Sequence, residues 1–399
     1  MKPLRGGIRL EGKKEATIIP WTIARPGPPR HVRIPLAGEG RPYRPAVAVG
    51  DRVLLGERIA QTPSALPRVL PASVSGKVTA VGESIEILSD GKDETVPNVG
   101  RERSGWHDLS GDEIFRIACE AGIAIPLPSP RGTLILNACE SEPYVTSDHT
   151  LLMSHPVEVL RGGEFLKRLY RAESLLVAIQ EDKEEVAELL KSKIFFHTWS
   201  HAKVEILPAL YPQEDARILR HSLGNGKSSL VLGVSQAFAL YEAVVLQKPF
   251  YERVVTVGGE CVAQPKNFWL RLGTPVEEAV KAAKGFLRKP EKVILGGPMR
   301  GRVIESLETP VLGETRAVLG LPSEVARPEE VEPCIRCGLC VESCPVSLSP
   351  AMITLAAEKD LFDLAQDYGA RFCIQCGNCT YVCPSKRPMQ ELIQYVNAH

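Results

Sequence analysis

The chain has no excess of either charge, no long apolar run and few aromatic residues. Lys plus Arg and Asp plus Glu number 48 each in 399 residues, so the net charge is zero and aromatics make up 6%. A chain with no overall basic field is not drawn as a whole onto nucleic acid or anionic lipid, which removes nucleic acid from the expected partners. No segment reaches the roughly 18 to 20 apolar residues of a membrane span. The nearest approach, Leu230 to Leu246, is broken by Ser235, Gln236 and Glu242 and reads as a buried strand followed by a helix. Met1 to Ile8 (MKPLRGGI) does not read as a signal peptide, and the eight histidines are scattered with no HExxH pattern. These features give a cytoplasmic chain whose membrane contacts, if any, run through partners. What remains is ordinary globular composition, 44% hydrophobic and 24% charged. The length exceeds a single core and calls for about two or three domains at roughly 100 to 200 residues each.

Residues 1–33 carry Arg25-Pro26-Gly27-Pro28-Pro29-Arg30 and suit an extended arm better than a packed element. Over 34–100, short apolar runs (Ala46 to Val49, Val53 to Leu55, Lys77 to Val81) alternate with Gly50-Asp51, Gly56-Glu57 and Ser75-Gly76, the pattern of short strands and tight turns. This stretch resembles the barrel-sandwich fold of biotinyl and lipoyl carriers. The segment Ser64 to Leu70 lacks the lysine that a carrier modifies, so its reading is structural. Residues 105–249 read as α/β: a helix capped by Ser110, strands at Thr133 to Leu136, Leu175 to Ile179 and Lys203 to Leu207, and a helix at Lys183 to Lys191. Such alternation predicts a parallel or mixed sheet. Residues 250–321 are β-rich around Val254 to Val257, and 322–332 form a Pro/Glu-rich link to the C-terminal unit at 322–399.

Eight of the eleven cysteines fall within residues 334 to 383. Cys334, Cys337, Cys340 and Cys344-Pro345 repeat the spacing x2, x2, x3, and Cys373, Cys376, Cys379 and Cys383-Pro384 repeat it again. Two-residue gaps let a chain wrap one corner of a cubane and present three thiolates; the fourth ligand comes from elsewhere, and in two-cluster ferredoxins it comes from the other run. The spacing therefore predicts one 4Fe-4S cluster on Cys334, Cys337, Cys340 and Cys383, and a second on Cys373, Cys376, Cys379 and Cys344. Four-cysteine zinc sites use two separated CxxC knuckles, and disulfide frameworks belong to short secreted chains; both remain alternatives to exclude by iron analysis. The linker 345–372 has helical periodicity (Met352, Leu355, Ala356, Leu361, Leu364, Ala365), so this unit should be mostly helical. Gly224 to Ser229 (GNGKSS) hints at a phosphate loop, but His221 stands where that motif needs glycine and a surface turn is the reading. Cys119 and Cys261 read as small buried hydrophobes, and Cys139 as a thiol in a polar turn.

The module order, together with Asn137 to His149 (NACESEPYVTSDH), Tyr211-Pro212-Gln213, Gly259-Glu260, Arg271 to Pro275, Gly296 to Met299 and the twin cysteine runs, resembles the C subunit of the Rnf electron-transport complex. It is also similar to the cobalamin reductase of propanediol utilisation and, in its middle part, to the NADH-binding flavoprotein subunit of complex I. The resemblance implies a multidomain α+β chain. Its units are a barrel-sandwich module, an FMN/NADH-binding α/β domain, a β-grasp (SLBB) domain and a two-cluster ferredoxin domain. It further implies FMN as a cofactor, with Asn137, Glu140 and Glu142 at flavin-site positions, and other redox subunits, membrane-embedded ones and a ferredoxin or flavoprotein among them, as partners on the cytoplasmic face of a membrane. Three stretches depart from the family: Ala124 to Arg131 carries Pro126, Pro128 and Pro130 in place of a glycine-rich loop; Glu214-Asp215-Ala216 replaces Gly-Gly-Glu; and Gly233-Val234 replaces Asn-Val. The expectation is an iron-sulfur electron-transfer subunit with a degenerate flavin site; the alternative is an FMN- and NADH-binding dehydrogenase subunit.

Overall fold

The computed structural model describes residues 6–19, 21–38, 41–197, 199, 201–224, 228–327 and 330–399. Residues 225–227 of the phosphate-loop-like run, 1–5 of the arm, 39–40 of the β module and 328–329 of the link lie outside the described residues.

Alternation builds the N-terminal β module. Along His31–Pro35 every second residue is buried, which turns Val32 and Ile34 inward, and this strand pairs antiparallel with Ser84–Ser89, whose Ile85 and Ile87 face the same core. Gly76–Val81 and Arg52–Val53 complete that sheet, and Arg44–Pro45, Arg58–Gln61 and Val69–Pro71 form a second one. The two sheets share Val53, Ile59, Val74 and Val78, giving the sandwich. Ala46 to Val49 is not a strand: its apolar run forms the loop between Arg44–Pro45 and Arg52–Val53.

The arm is more than an extended tether. It forms a short helix, Glu15–Ile18, that buries Thr17; Ile8 bridges Tyr211, and Ala24 bridges Phe268. Its backbone hydrogen bonds are thus made to other units, which is how a Pro-rich segment without its own ladder becomes ordered.

In the middle region four parallel strands lie in the order Ala202–Leu207, Ser174–Gln180, Thr133–Asn137, Ser229–Gly233. Helices Gly111–Glu120, Pro156–Leu169 and Val234–Val245 pack on one face over Leu134, Leu136, Leu175 and Val177. Ser110 caps the first of them in a capping box with Glu113. Pro156–Leu169 approaches Val234–Val245 so closely that a Cβ on Gly162 would collide with the Ala237 carbonyl. Because Thr133–Asn137 pairs with both the next strand in the chain and the last, the strand order reverses beside it, and a crevice opens where Asn137 lies opposite Gly233.

A five-stranded mixed sheet follows, in the order Lys266–Arg271, Glu252–Gly258, Ala317–Leu321, Lys292–Leu295, Arg302–Ile304, with helix Val276–Ala282 over its core. The C-terminal unit is helical and internally repeated. Leu339–Glu342 matches Asn378–Tyr381, and Pro350–Ala357 matches Met389–Ala398. The left-handed residues Arg336, Gly338 and Ser347 recur as Gln375, Gly377 and Lys386 at one constant offset. The linker helices bury Ile353, Ala356 and Ala365 against Ile393 and Val396, while Met352, Leu361 and Leu364 face outward, so the apolar stripe read from the sequence is only half interior. Among the described residues no helix is long and apolar enough to cross a membrane.

Candidate cofactor sites

Each cysteine run enters a short helix through a glycine with positive φ (Gly338 +84°, Gly377 +80°), a turn that glycine makes without strain and that swings the third cysteine back towards the first two. In the second run, Cys373, Cys376 and Cys379 line a small cavity whose wall also includes Cys344, from the first run, with Pro345, Val346, Leu348 and Ile374. Backbone amides already aim at two of these sulfurs: Leu348 N–H donates to Cys344 Sγ at 3.3 Å and Gln375 N–H to Cys373 Sγ at 3.3 Å. Burial pushes the thiols of Cys376 and Cys379 up, to about 11 and about 12. In the first run, Cys340 packs with Cys383 and Met389, while Cys337 is exposed and Cys334 half-buried. All eight cysteines are free of disulfides. Four thiols around a mostly apolar cavity, with amide donors to sulfur, are a donor set fit for a 4Fe-4S cluster.

The second run is also fastened to the middle domain. Tyr211, almost completely buried, donates its hydroxyl to the Cys376 carbonyl at 2.7 Å, and Asn378 Nδ2 donates to the carbonyls of Ser343 (3.1 Å) and Tyr211 (3.5 Å). Arg300 reaches the Ile374 carbonyl at 3.5 Å and the Asp215 carboxylate at 3.2 Å. Gly7 N–H donates to the Ser343 carbonyl at 3.0 Å.

The three flavin-position residues come together at the crevice, but each is held by the protein itself. Asn137 donates to the Glu214 carbonyl (2.8 Å) and accepts from Cys139 N–H (3.1 Å). Glu140 is completely buried; it accepts from Asp148 N–H (2.9 Å), His149 N–H (3.2 Å) and Ser147 Oγ (3.2 Å), so it caps the helix Ser147–Ser154, and Arg316 lies 3.6 Å away. Burial alone raises a carboxyl; here Arg316, Lys14 and Lys183 overcome it and bring Glu140 down to about 2. Glu142 takes the opposite course: burial and the neighbouring Glu214 push it up to about 7, although it accepts from Met299 N–H at 3.0 Å.

The crevice itself is bridged by side chains. Ser235 Oγ donates to Asp148 Oδ1 at 2.9 Å, and Arg316 pairs with Asp148 at 2.7 Å. Glu214 occupies the Ser141 N–H (2.5 Å) and hydroxyl (2.7 Å), and Asp215 caps helix Ala216–Ser222. Lys14, from the arm, and Lys183 both donate to the Glu140 carbonyl. The Ala124 to Arg131 segment runs without helix or strand, pinned by Gln236 Nε2 to the Ala124 carbonyl (2.6 Å) and by Tyr170 OH to the Pro126 carbonyl (2.6 Å). Three of its residues are prolines with no N–H to offer a phosphate or an isoalloxazine. The segment therefore offers FMN few amide donors, although Glu142 Oε1, both His149 ring nitrogens and Arg316 Nε, around the same crevice, are buried without a hydrogen-bond partner. Sequence reading missed Lys14, Lys183, Arg300 and Arg316: no motif marks them, and only the fold brings them together. Cys119, Cys139 and Cys261 are buried, and burial pushes the Cys139 thiol to about 12, which makes it inert.

Family models match in the order of the observed units: the RnfC barrel sandwich hybrid domain at residues 2–96, the Nuo51 FMN-binding domain at 122–233, the SLBB domain at 254–303 and the 4Fe-4S dicluster domain at 328–384. The chain is 31% identical to the C subunit of the proton-translocating ferredoxin:NAD(+) oxidoreductase complex of Clostridium ljungdahlii, over 100% of this chain and 94% of that protein. It belongs to the RnfC family. The C subunit of the Na(+)-translocating ferredoxin:NAD(+) oxidoreductase complex from Acetobacterium woodii is 30% identical over 92% of this chain and 90% of the relative, and the C subunit of the Rhodobacter capsulatus ion-translocating oxidoreductase complex is 30% identical over 87% and 73%. Among solved structures, an NAD+-reducing [NiFe]-hydrogenase chain in the air-oxidized state aligns with TM-score 0.51 at 17% identity, over 73% of this chain and 64% of that one, a likeness of fold. Iron-sulfur clusters of the dicluster type belong to this RnfC chain; the FMN-binding model matches the domain whose crevice is closed by its own side chains.

Proposed function

We propose that the chain is an iron-sulfur electron-transfer subunit of an Rnf-type oxidoreductase complex and carries no flavin of its own. Its parts are an arm (1–33), a barrel-sandwich module (34–100), an α/β domain with a degenerate flavin site (105–249), a β-grasp domain (250–321) and a ferredoxin domain (322–399). Cys334, Cys337, Cys340 and Cys383 hold one 4Fe-4S cluster; Cys373, Cys376, Cys379 and Cys344 hold the other. The observation that carries this is Cys344 lining the same cavity as the three cysteines of the opposite run. The clusters supply one-electron transfer when bound. The protein supplies asymmetry: exposed Cys337 faces outward for a redox partner, while the second run is locked onto the middle domain by Tyr211, Asn378 and Arg300. Attachment to the cytoplasmic face of a membrane runs through partner subunits of the kind for which its relatives are named.

Anaerobic purification with analysis of iron, acid-labile sulfide and extractable flavin tests the reading. About eight irons and eight sulfides per chain are expected, because each cluster holds four of each, and no stoichiometric flavin. A zinc-loaded chain, or stoichiometric FMN, would refute it. A second reading, a dehydrogenase subunit that carries FMN and binds NADH, is favoured by the FMN-binding model over 122–233, and the flavin measurement decides between the two.

A further inference from the structure

Helix Glu184–Phe196 divides its charge along its length. Glu184, Glu185 and Glu188 occupy its first half. From Leu189 to Val204 the sequence holds no acidic residue but carries Lys191, Lys193, His197, His201 and Lys203 with Phe195, Phe196 and Trp199. The helix ends on two neighbouring phenylalanines that point into solvent, Phe195 79% and Phe196 74% exposed, their rings edge to face with centroids 5.8 Å apart. The His197 ring stacks on Trp199 at 4.9 Å, and the Arg161 guanidinium lies 6.0 Å from the Trp199 ring. Lys191 pairs with Glu188 at 2.7 Å, and His201 with Glu164 at 2.6 Å.

Two adjacent bare phenylalanines are an uncommon feature for a water-exposed helix end, because their apolar area gains nothing from the fold. The lysines beside them say what covers them. Aromatic side chains flanked by Lys or Arg, with the helix's acids held back in its first half, match the boundary between acyl chains and anionic headgroups. Contact is end-on, through the C-terminal turn that carries the phenylalanines; Glu188, the acid of this helix nearest to that turn, is paired with Lys191.

We infer that Phe195 and Phe196, with Lys191, Lys193 and Lys203, form a docking surface for an anionic phospholipid bilayer, so that the chain touches the membrane directly as well as through partners. The surface lies on the α/β domain and does not depend on how the clusters are ligated.

Co-sedimentation of the full chain, purified anaerobically with its clusters, tests this on vesicles of phosphatidylcholine alone and of phosphatidylcholine with phosphatidylglycerol. The wild-type chain is expected to bind the anionic vesicles, to release in high salt, and to lose binding by roughly ten-fold or more as Phe195→Ser/Phe196→Ser. Lys191→Gln/Lys193→Gln should weaken it by roughly five- to thirty-fold, about 1 kcal/mol per lysine. Unchanged iron content and circular dichroism in each variant show that the fold persists. A wild-type chain that stays in solution with anionic vesicles, or a phenylalanine double variant that binds as well as wild type, overturns the inference. So does binding that appears only when membrane proteins are present, which would place a protein on the patch.

Discussion

Replacing Glu140 by Gln removes one negative charge from a pocket where Arg316, Lys14 and Lys183 converge, Arg316 being shared with Asp148. The carboxylate has no solvent exposure; Arg316 lies 3.6 Å from it, and Lys14 and Lys183 converge on the carbonyl of the same residue. Their field lowers Glu140 from 4.5 to about 2 against the opposing effect of burial, about 2.5 pH units, which corresponds to about 3 kcal/mol of stability at neutral pH. Gln keeps the shape but only one acceptor oxygen, and its NH2 then faces one of the N–H groups that Glu140 accepts from, so the lost charge and the broken hydrogen bond together are expected to cost about 2 to 4 kcal/mol. In a domain of this size that lowers the melting transition by roughly 5 to 15 °C. A group whose folded value is depressed contributes its stability above the unfolded value and loses it as pH falls towards the folded one. The wild-type advantage should therefore be constant between pH 7 and pH 5 and shrink below about 4.5. Differential scanning fluorimetry or calorimetry of both chains across that range provides the measurement. A Glu140→Gln chain as stable as wild type at pH 7, or a difference that grows with acid, would refute the account of the crevice as a closed ion-pair network.

Glu142→Gln should act with the opposite sign. Its carboxyl is raised by burial and by Glu214, so the wild-type chain loses stability as pH climbs from about 4.5 through about 7, and the variant should match or exceed wild-type melting at pH 8 while gaining nothing at pH 5. Cys344→Ser should remove the cluster of the opposite run, about half the iron, and Cys383→Ser the other half; iron analysis with electron paramagnetic resonance reports which signal disappears. If each variant lost the cluster of its own run, the crossed assignment would fail. Tyr211→Phe deletes the hydroxyl on the Cys376 carbonyl and should cost about 1 to 3 kcal/mol at the interface between the ferredoxin and middle domains, seen as faster loss of iron on warming.

Local patterns were readable wherever a period or a spacing encodes them. Ser110 announced its helix because an N-cap acts within one turn, and Leu230 to Leu246 split into strand and helix as its interruptions suggested. The cysteine spacing carries its chemistry in three or four residues. The arm did not read correctly, because its order comes from bridges to Tyr211 and Phe268, which no local pattern records. The crevice was legible only by what it lacks: three prolines in place of glycines said that amide donors were missing. They could not say that Arg316 and Lys14, both far from Glu140 along the chain, would fill the space. Long-range charge pairing leaves no period in a sequence, since each partner is a lone charged residue until the fold joins them.

The ferredoxin unit cannot be an independent bead on this chain. Gly6 lies against the carbonyl of Cys344, close enough that a Cβ there would overlap it, and Gly7 N–H ties the arm to Ser343 next door. The same arm continues to Lys14 at the Glu140 carbonyl and to Lys13, which pairs with Glu260 of the β-grasp domain at 3.1 Å. One short segment therefore contacts the loop that carries Cys344, the crevice and the β-grasp domain. Cys344 lines the cavity of the second run, and its loop is held partly from outside the ferredoxin fold. The loop that carries Cys344 is thereby tied to the arm, whereas in the first run Cys337 is exposed and Cys334 half-buried. That difference follows from contacts alone, and it gives the two sites unequal exposure to partners on a chain whose cysteine runs share one spacing.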